Sequence, residues 1–540
     1  MYPQGSGPPF SSGGSSGTRT NPIQPPPVIG HLDALVKTLN DSTQRDDLKL
    51  KALQEISSSI DDVPNGPGFN SVVENMMRIF LKLFGDTTPQ CVSENNTQML
   101  RKLMLEMILR LSYTEAVKNC AKSLISTMIR CIITENEENV LIALKILSEH
   151  LKLRLPFVGE ITNLMSHFKM MYRDMVHHCG QGQMFLTRRQ VLPQWNFEDN
   201  TLENTLQQCF CVTSVHVDSP EGSDGRQIYT LIPRGYQSVK VLGEVPSLII
   251  QLCNMYKQQV LSDLGDLIQI IASYLASKIP APIKEEQGFN KEVAEEFLNS
   301  QIRAFTFLAF YAKASPSGGN ASDFFQNNSS QVINSMIALF ESCPPEPILP
   351  RRELLVAARY FFNSEYQKNF VGMLPRLLNN NTLLGTGVTV NECLRISVVQ
   401  MLCDLCHHLR NQLTFEVLVN VVYFFSLMLH TSQIFGHSQA MCCKGLMNLV
   451  EAFANLERNQ NEPCRDIFLH MLDTFVRKFR FMAKHHVGPL LAKYSYSSRQ
   501  RSRGVDGPAG ESGAPEADEA AGSAAEGRRI SAKRYAGGSR

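Results

Sequence analysis

From residue 28 to about 487 the chain repeats one pattern, apolar residues three or four positions apart broken by short polar stretches. Leu100, Leu103, Met104, Met107, Ile108 and Leu111 follow at spacings of 3, 1, 3, 1 and 3, which puts them on one stripe of a helix. Phe468, Met471, Leu472, Phe475, Val476, Phe479, Met482 and Ala483 form a second such stripe. The same periodicity predicts helices over 29–40, 45–60, 69–85, 115–133, 136–152, 157–176, 237–257, 261–278, 289–314, 322–342, 350–364, 366–380, 389–411, 414–431 and 436–457. One helix start is written with particular clarity. Thr134 followed by Glu137 has the form of a capping box, in which hydroxyl and carboxylate reciprocally satisfy early backbone N–H groups. Val140, Leu144, Leu147 and Leu151 then recur on one face.

The breaks carry turn chemistry, as in Asp62-Val-Pro-Asn-Gly-Pro-Gly68, Ser315-Pro-Ser-Gly-Gly319, Pro344-Pro345 and Glu462-Pro463. Helices of this length in pairs give a period of about 40 residues, that of HEAT or armadillo repeats. The predicted fold is therefore all-α, a HEAT/armadillo-like helical-repeat solenoid, with helical repeats over 28–177 and 236–487. Residues 178–235 break the rhythm with Gly180-Gln-Gly182, Pro193, Trp195 and Pro220-Glu-Gly222. Within them, Gln208–Val217 and Gln227–Ile232 have strand composition and can pair as a hairpin closed by Asp218–Arg226. This irregular insertion projects from the array, either as a contact surface or as an ordered loop without a partner. Residues 1–27, rich in Gly, Pro and Ser, and the Gly/Ala-rich tail 488–540 are expected to be disordered.

Composition narrows the function. The 540 residues carry a formal net charge of +1, which favours no strongly polyanionic partner. The 14 cysteines have no framework spacing and no apolar h-region opens the chain, so reduced thiols in cytosol or nucleus are expected. Asn95-Asn-Thr97 and Asn328-Ser-Ser330 are then chance glycosylation matches. The most apolar run, Val417–Leu429, is too short to cross a membrane and reads as a helix sandwiched in a core.

No catalytic constellation emerges. Cys403-Asp-Leu-Cys406-His407 has the spelling of a haem attachment site, but Val399, Leu402, Cys403 and Cys406 share an apolar helical stripe where cysteine acts as a small hydrophobe. A zinc site from Cys403, Cys406, Cys442 and Cys443 is disfavoured because adjacent helical residues point about 100° apart. His177-His178 and His485-His486 fall near predicted helix ends, where histidine is a solvated or capping group. Gly385-Thr-Gly387 is too short for a phosphate loop, and Glu137-Glu138, Glu285-Glu286 and Glu295-Glu296 read as solvated helix faces. Arg351-Arg352 and Arg188-Arg189 are isolated pairs with no nucleic-acid-binding motif beside them. Arg528-Arg-Ile-Ser531 has the form of a basophilic kinase site, and the tail's basic clusters suit nuclear import. No residue is assigned a catalytic, cofactor-binding or metal role, and no cofactor, small-molecule substrate, membrane or direct nucleic-acid contact is expected.

Five segments in order resemble the N-terminal region of the transformation/transcription domain-associated protein family, TRRAP and its fungal counterparts. They are Leu100-Arg-Lys-Leu-Met-Leu-Glu106, Thr134-Glu-Asn-Glu-Glu-Asn-Val-Leu-Ile142, Ile232-Pro-Arg-Gly235, Arg352-Glu-Leu-Leu-Val-Ala-Ala358 and Gly385–Leu409 around Asn391-Glu-Cys-Leu-Arg395. The resemblance implies a very large HEAT-repeat scaffold of histone acetyltransferase coactivator complexes, including the SAGA type. Such proteins dock transcriptional activators and belong to the PI3-kinase-related group with an inactive kinase-like domain. The chain as read lacks the rest of that solenoid, the FAT region and the kinase-like domain. Its tail reads as an insertion between repeats, a truncation or the end of a short product.

The resemblance thus implies a non-enzymatic scaffold segment of a nuclear acetyltransferase complex, with complex subunits and activators as protein partners. The alternative from another class is a HEAT-built transport receptor of the karyopherin type. If the array normally continues, the end near 485 should expose an apolar helix face.

Overall fold

The computed structural model describes residues 27–494 apart from 64–65, 153–157, 187–188, 193–213, 218–226, 230–231, 315–319, 345–347, 386–390, 432–435 and 461. The disorder expected of 1–27 therefore lies almost wholly outside the described residues, as does the Ser315–Gly319 break.

The first compact unit runs to Phe468. Its principal helices are α1 (Pro27–Asn40), α2 (Asp46–Ser59), α3 (Pro67–Asp86), α4 (Asn96–Leu111), α5 (Glu115–Asn119), α6 (Ala121–Thr134), α7 (Glu137–Leu151) and α8 (Val158–Gln181). After the insertion come α9 (Val239–Met255), α10 (Lys257–Ala276), α11 (Ala281–Glu285), α12 (Lys291–Ala314), α13 (Asn320–Ser342) and α14 (Ile348–Phe362). Then follow α15 (Leu374–Leu377), α16 (Asn380–Leu384), α17 (Arg395–Leu409), α18 (Phe415–His430) and α19 (Gly436–Gln460), while α20 (Arg465–Met482) starts at the end of this unit and belongs mostly to the second. They stack in two parallel rows. One row packs α1 on α3, then α6, α8, α10 and α13; the other packs α2 on α4, then α7, α9, α12, α14, α17 and α19. Each helix touches its row neighbours and its hairpin partner, which is the nearest-neighbour logic of a helical solenoid.

The first predicted stripe is a face that buries, whereas in the second Met471 is buried but Leu472, Phe479, Met482 and Ala483 are exposed. Leu100, Met104, Met107, Ile108 and Leu111 are at most 1% exposed, and Val140, Leu144, Leu147 and Leu151 are likewise in the core. In α18 the apolar run is buried on most sides, while Tyr423 and Leu427 stay exposed. No helix among the described residues is long and apolar enough to cross a membrane.

Several local expectations are corrected. Thr134 does not cap α7. It is the last residue of α6, where its hydroxyl donates back to the Arg130 carbonyl (2.9 Å). Asn136 is the cap instead, its side chain accepting from the Asn139 N–H (3.2 Å). Glu137 does not reach back either; its carboxylate accepts from the Ser238 hydroxyl (2.7 Å) and pairs with Lys240 (3.4 Å). The predicted helix 115–133 is broken at Cys120 into a short turn, capped by Thr114 accepting from Val117 N–H, and α6. The predicted helix 366–380 is mostly a tighter 3-10 run over Glu365–Met373, ahead of Pro375 at the start of α15. The insertion does pair Ser214–Val217 (β2) antiparallel to Gln227–Tyr229 (β3), and a strand not foreseen, β1 (Arg189–Leu192), joins β2 in parallel.

A buried polar joint holds the point where the chain returning from the insertion rejoins the array. Arg101 and Glu135 form an ion pair with side chains 2% and 0% exposed, and Arg101 Nε donates to the carboxylate at 2.7 Å. Arg101 also donates to the Thr87 carbonyl (2.8 Å), and Asn139 donates to the second Glu135 oxygen (3.1 Å). The returning strand of chain is stitched to the same turn. Glu137 N–H donates to Pro233 O (2.8 Å), Gly235 N–H to Glu135 O (2.9 Å) and Ile232 N–H to Cys91 O (2.8 Å). Gly235 is required by space. A Cβ there would sit 2.5 Å from Val140 Cγ2 and 3.2 Å from the Glu135 carbonyl.

The second unit, Leu469–Arg540, is described to residue 494 and is helical throughout that stretch, including a π turn at Ala483–Val487. The helix thus passes the 488 boundary expected for the tail. Leu472, Phe479, Phe481, Leu490, Leu491 and Tyr494 are exposed along it, the apolar face foreseen near 485.

Removing one partner of a buried pair leaves an uncompensated charge, so Arg101→Ala or Glu135→Ala should each cost about 3–5 kcal/mol in urea unfolding. The double replacement Arg101→Met/Glu135→Leu should cost far less than the sum; additive losses would refute the pairing. Gly235→Ala should destabilise by roughly 1–3 kcal/mol, with partial rescue by Val140→Ala. Lack of any rescue would show that Val140 is not the obstacle. A third outcome concerns pH. Burial holds the His167 imidazole down at about 4, against an ordinary 6.5, so it is neutral in the fold. Its folded pKa lies below its unfolded one, so this contribution is complete above about 6.5 and is lost as pH falls toward 4. The loss is on the order of 3 kcal/mol. His167→Leu should flatten the acid limb of a Tm–pH profile between those values, and an unchanged limb would contradict the assignment.

Candidate functional site

The residues singled out for chemistry are placed by packing. Cys403 and Cys406 are buried on α17, and Cys442 is buried on α19 facing them. Gly445 of α19 lies against Cys403 of α17, where a Cβ would make an ordinary contact 3.5 Å from the sulfur. Burial pushes the Cys406 thiol up to about 12, and the hydrogen-bonded Cys442 together with burial pushes Cys403 up. Such thiols are neutral and unreactive at physiological pH. His407 points out to solvent, away from both sulfurs' buried stripe.

Arg351 is an internal fastener. Only 1% exposed, it donates to the carbonyls of Cys343 (2.8 Å), Leu383 (3.0 Å) and Phe340 (3.1 Å), tying the C-terminus of α13 to α16. Gly385 sits against this guanidinium with φ +81°, and a Cβ there would lie 2.9 Å from Arg351 Nη2. The Gly385-Thr-Gly387 signal therefore marks a structural contact at its first residue. Two of the carboxylate pairs are also more than solvated faces. Glu138 pairs with Lys102 (2.8 Å), and Lys240 bridges Glu137 and Glu296 (both 3.4 Å), so these groups join neighbouring helices.

The concavity best suited to a partner lies where α10 ends and α11 to α13 converge. It is a groove of about 580 Å³. Leu275, Phe297 and Leu339 are buried in its floor, and Leu298 and Ala338 are half-buried beside them. Lys278, Lys284 and Lys291 stand exposed on its rim. Against them stand Glu295 and Glu341, the latter already paired with Arg376 (2.5 Å).

The walls are fixed from several directions. Gln301, itself buried, donates to the carbonyls of Tyr274 (3.0 Å) and Ser277 (2.9 Å), satisfying the orphan C-terminal groups of α10. Tyr274 donates to Ser300 (2.9 Å) and packs edge-on to Phe297 and Tyr172, while Phe185 packs edge-on to Phe297. The segment before α12 is laced to the end of α8, with Asn290 N–H donating to Phe185 O (2.7 Å). Gly182, at φ +72°, lets Ile283 come within 2.5 Å of where a Cβ would be. A second, polar pocket of about 440 Å³ between α2, α3 and α4 carries Lys49 and Lys82 beside Asp46 and Asp86, so its charges balance.

Sequence reading did not find the groove. Its floor residues belong to three separate stripes, and its lysines sit on a connection, a short helix and a helix start. Nothing in the linear spacing joins them.

Comparison with known proteins gives a consistent outcome. The family profile described as "Tra1 HEAT repeat central region" matches residues 293–532. The chain is 33% identical over 469 residues to transcription-associated protein 1 of Caenorhabditis elegans, covering 86% of this chain and 11% of that protein. It is 30% identical over 464 residues to the Homo sapiens transformation/transcription domain-associated protein, covering 85% of this chain and 12% of that one. It is 23% identical over 420 residues to the Saccharomyces cerevisiae protein named "SAGA complex/NuA4 acetyltransferase complex subunit TRA1", covering 72% and 11%. The chain thus spans only about a ninth of the length of these relatives.

In the native chain, maleimide should label the exposed Cys393 at least roughly a hundredfold faster than Cys403, Cys406 or Cys442. Peptide mapping of the labelled protein reads this, and equal rates would contradict the buried placement.

Proposed function

This chain belongs, by homology over about 85% of its length, to the Tra1/TRRAP family of transcription-associated proteins, and we propose that it is a scaffold segment of a nuclear histone acetyltransferase coactivator complex. On this reading it holds complex subunits and transcriptional activators by its surfaces and performs no chemistry itself. Relatives named as subunits of SAGA and NuA4 acetyltransferase complexes support the complex. The observation that carries the scaffold role is the stacking of helix on helix, each packed on its row neighbours, among the described residues of the homologous stretch. Each repeat spends its apolar face on its neighbours, which leaves long outer surfaces for partners.

The apolar face on residues 469–494 fits a scaffold whose helices are covered in a larger assembly. The buried thiols and the internally tied Arg351 remove the best-spelled chemical motifs from contact with any substrate.

Expression of the tagged full chain with affinity purification and imaging tests the proposal. Nuclear signal and recovery of acetyltransferase-complex subunits at least tenfold over a tag-only control are expected. Nuclear exclusion would contradict it, and enrichment of small GTPases with import cargo would favour a transport receptor instead.

A further inference from the structure

The helix that begins as α20 changes character at Phe479. Up to Lys478 it keeps a buried side that holds Met471 and Thr474. From Phe479 to Tyr494 every residue is exposed. Large apolar residues stand on opposite sides of this stretch. Phe479 and Phe481 are two positions apart, about 200° around an α-helix, and are 66% and 49% exposed. A second apolar cluster, with Val487 and Leu490, follows beyond Lys484-His485-His486. A bilayer or a flat protein surface covers one side of a helix and would leave one phenylalanine in water. A partner with two apolar lobes that close around the helix covers both sides and both clusters.

The charge is of one sign. Arg477, Lys478, Arg480, Lys484 and Lys493 are joined by no Asp or Glu between Thr474 and Tyr494. Asp473 pairs with Arg477 (2.7 Å), and the Lys478 ammonium lies over the Phe481 ring (5.5 Å). Arg480, Lys484 and Lys493 are exposed and make no ion pair among the described residues. Two copies of so basic a helix repel each other, which disfavours a second copy as the cover. The chain's own acidic stretch, Glu511 to Glu526, has only Ala, Pro, Gly and Ser between its carboxylates, so it offers the aromatic rings no apolar cover. An EF-hand calcium sensor has the complementary chemistry. It is rich in carboxylates, and calcium opens methionine-lined apolar clefts that adapt to the helix they receive. We propose that residues 479–494 are a docking helix for a calcium-loaded EF-hand sensor. The Phe479–Phe481 cluster enters one lobe, the Val487–Leu490 cluster the other, and sensor carboxylates face Arg480, Lys484 and Lys493. This goes beyond the scaffold reading, and a test with purified components fails or succeeds separately from co-purification of complex subunits.

The probe is dansyl-labelled calmodulin, titrated with the full chain in saturating calcium and in EGTA. Saturable binding in calcium, at least about tenfold weaker in EGTA, is expected, and the chain should in turn tighten calmodulin's hold on calcium. F479A/F481A should weaken binding at least about tenfold. Each exposed ion pair contributes roughly two- to fivefold, so R480E/K484E/K493E should weaken it by a similar factor. All five side chains are exposed, so Tm should stay unchanged in both variants. The E511Q/E516Q/D518N/E519Q chain should bind like the native one. Absence of binding, equal binding in EGTA, or binding undiminished by F479A/F481A would overturn the proposal. Binding to phosphatidylserine vesicles with none to calmodulin would make the helix a membrane anchor and overturn it as well. So would self-association in sedimentation that F479A/F481A abolishes, which would make a second copy the occupant. Calmodulin binding about tenfold tighter after the tail is neutralised would make the tail the occupant, with the same consequence.

Discussion

The contact on which this structure depends is the buried ion pair between Arg101 and Glu135. Two charges removed from water are costly on their own, and this pair is tolerated because almost every remaining donor and acceptor is used. Arg101 reaches the Thr87 backbone, Asn139 takes the second carboxylate oxygen, and the Glu135 carbonyl accepts from Gly235. A segment of α4, the α6–α7 turn and the chain returning from the insertion are thereby fixed in one place. The second row can then resume at α9 in register with α7 even though the insertion separates them in sequence. Arg351 plays a comparable part further along, joining α13 to α16 through backbone carbonyls alone.

These two joints draw together stretches that lie far apart in the chain. Leu100–Glu106, Thr134–Ile142 and Ile232–Gly235 are far apart in sequence, yet they supply Arg101, Glu135 with Asn139, and Gly235 to one cluster. The fourth and fifth segments flank the Arg351 contact with Gly385 in the same way. The groove at α10–α13 owes its shape to other contacts.

Much of the architecture was legible because burial in a helical array writes a 3.6-residue period into each segment. Most helix limits fell close to the predicted ones, and the β2–β3 pairing followed from composition. The failures have physical causes. Thr134 looked like a cap, but its hydroxyl was claimed by Arg130 and the polar cluster two residues on offered a better one in Asn136. Cap chemistry is a local signal, and here tertiary partners from α4 and the insertion decided which residue served. Arg101 lay on the buried side of a predicted stripe, next to Leu100 and one turn from Met104 and Leu105, and a charge there is the one linear sign that a buried partner exists. The strand β1 lacks an alternating apolar pattern, and its pairing is set by β2 rather than by its own residues. The groove was illegible because long-range convergence, and no local pattern, makes it.

If the Arg101–Glu135 joint holds three segments as one unit, their amides should be protected and released together. Hydrogen exchange followed by mass spectrometry on the native chain and on Arg101→Met reads this directly. The peptides containing Ile232, Gly235 and Glu137, whose N–H groups bond across the joint, should lose protection in concert in the variant. The peptides over Ser277–Gln301, which line the groove, should remain as protected as in the native chain. Loss confined to α4, or protection unchanged at Gly235 and Glu137, would contradict the account.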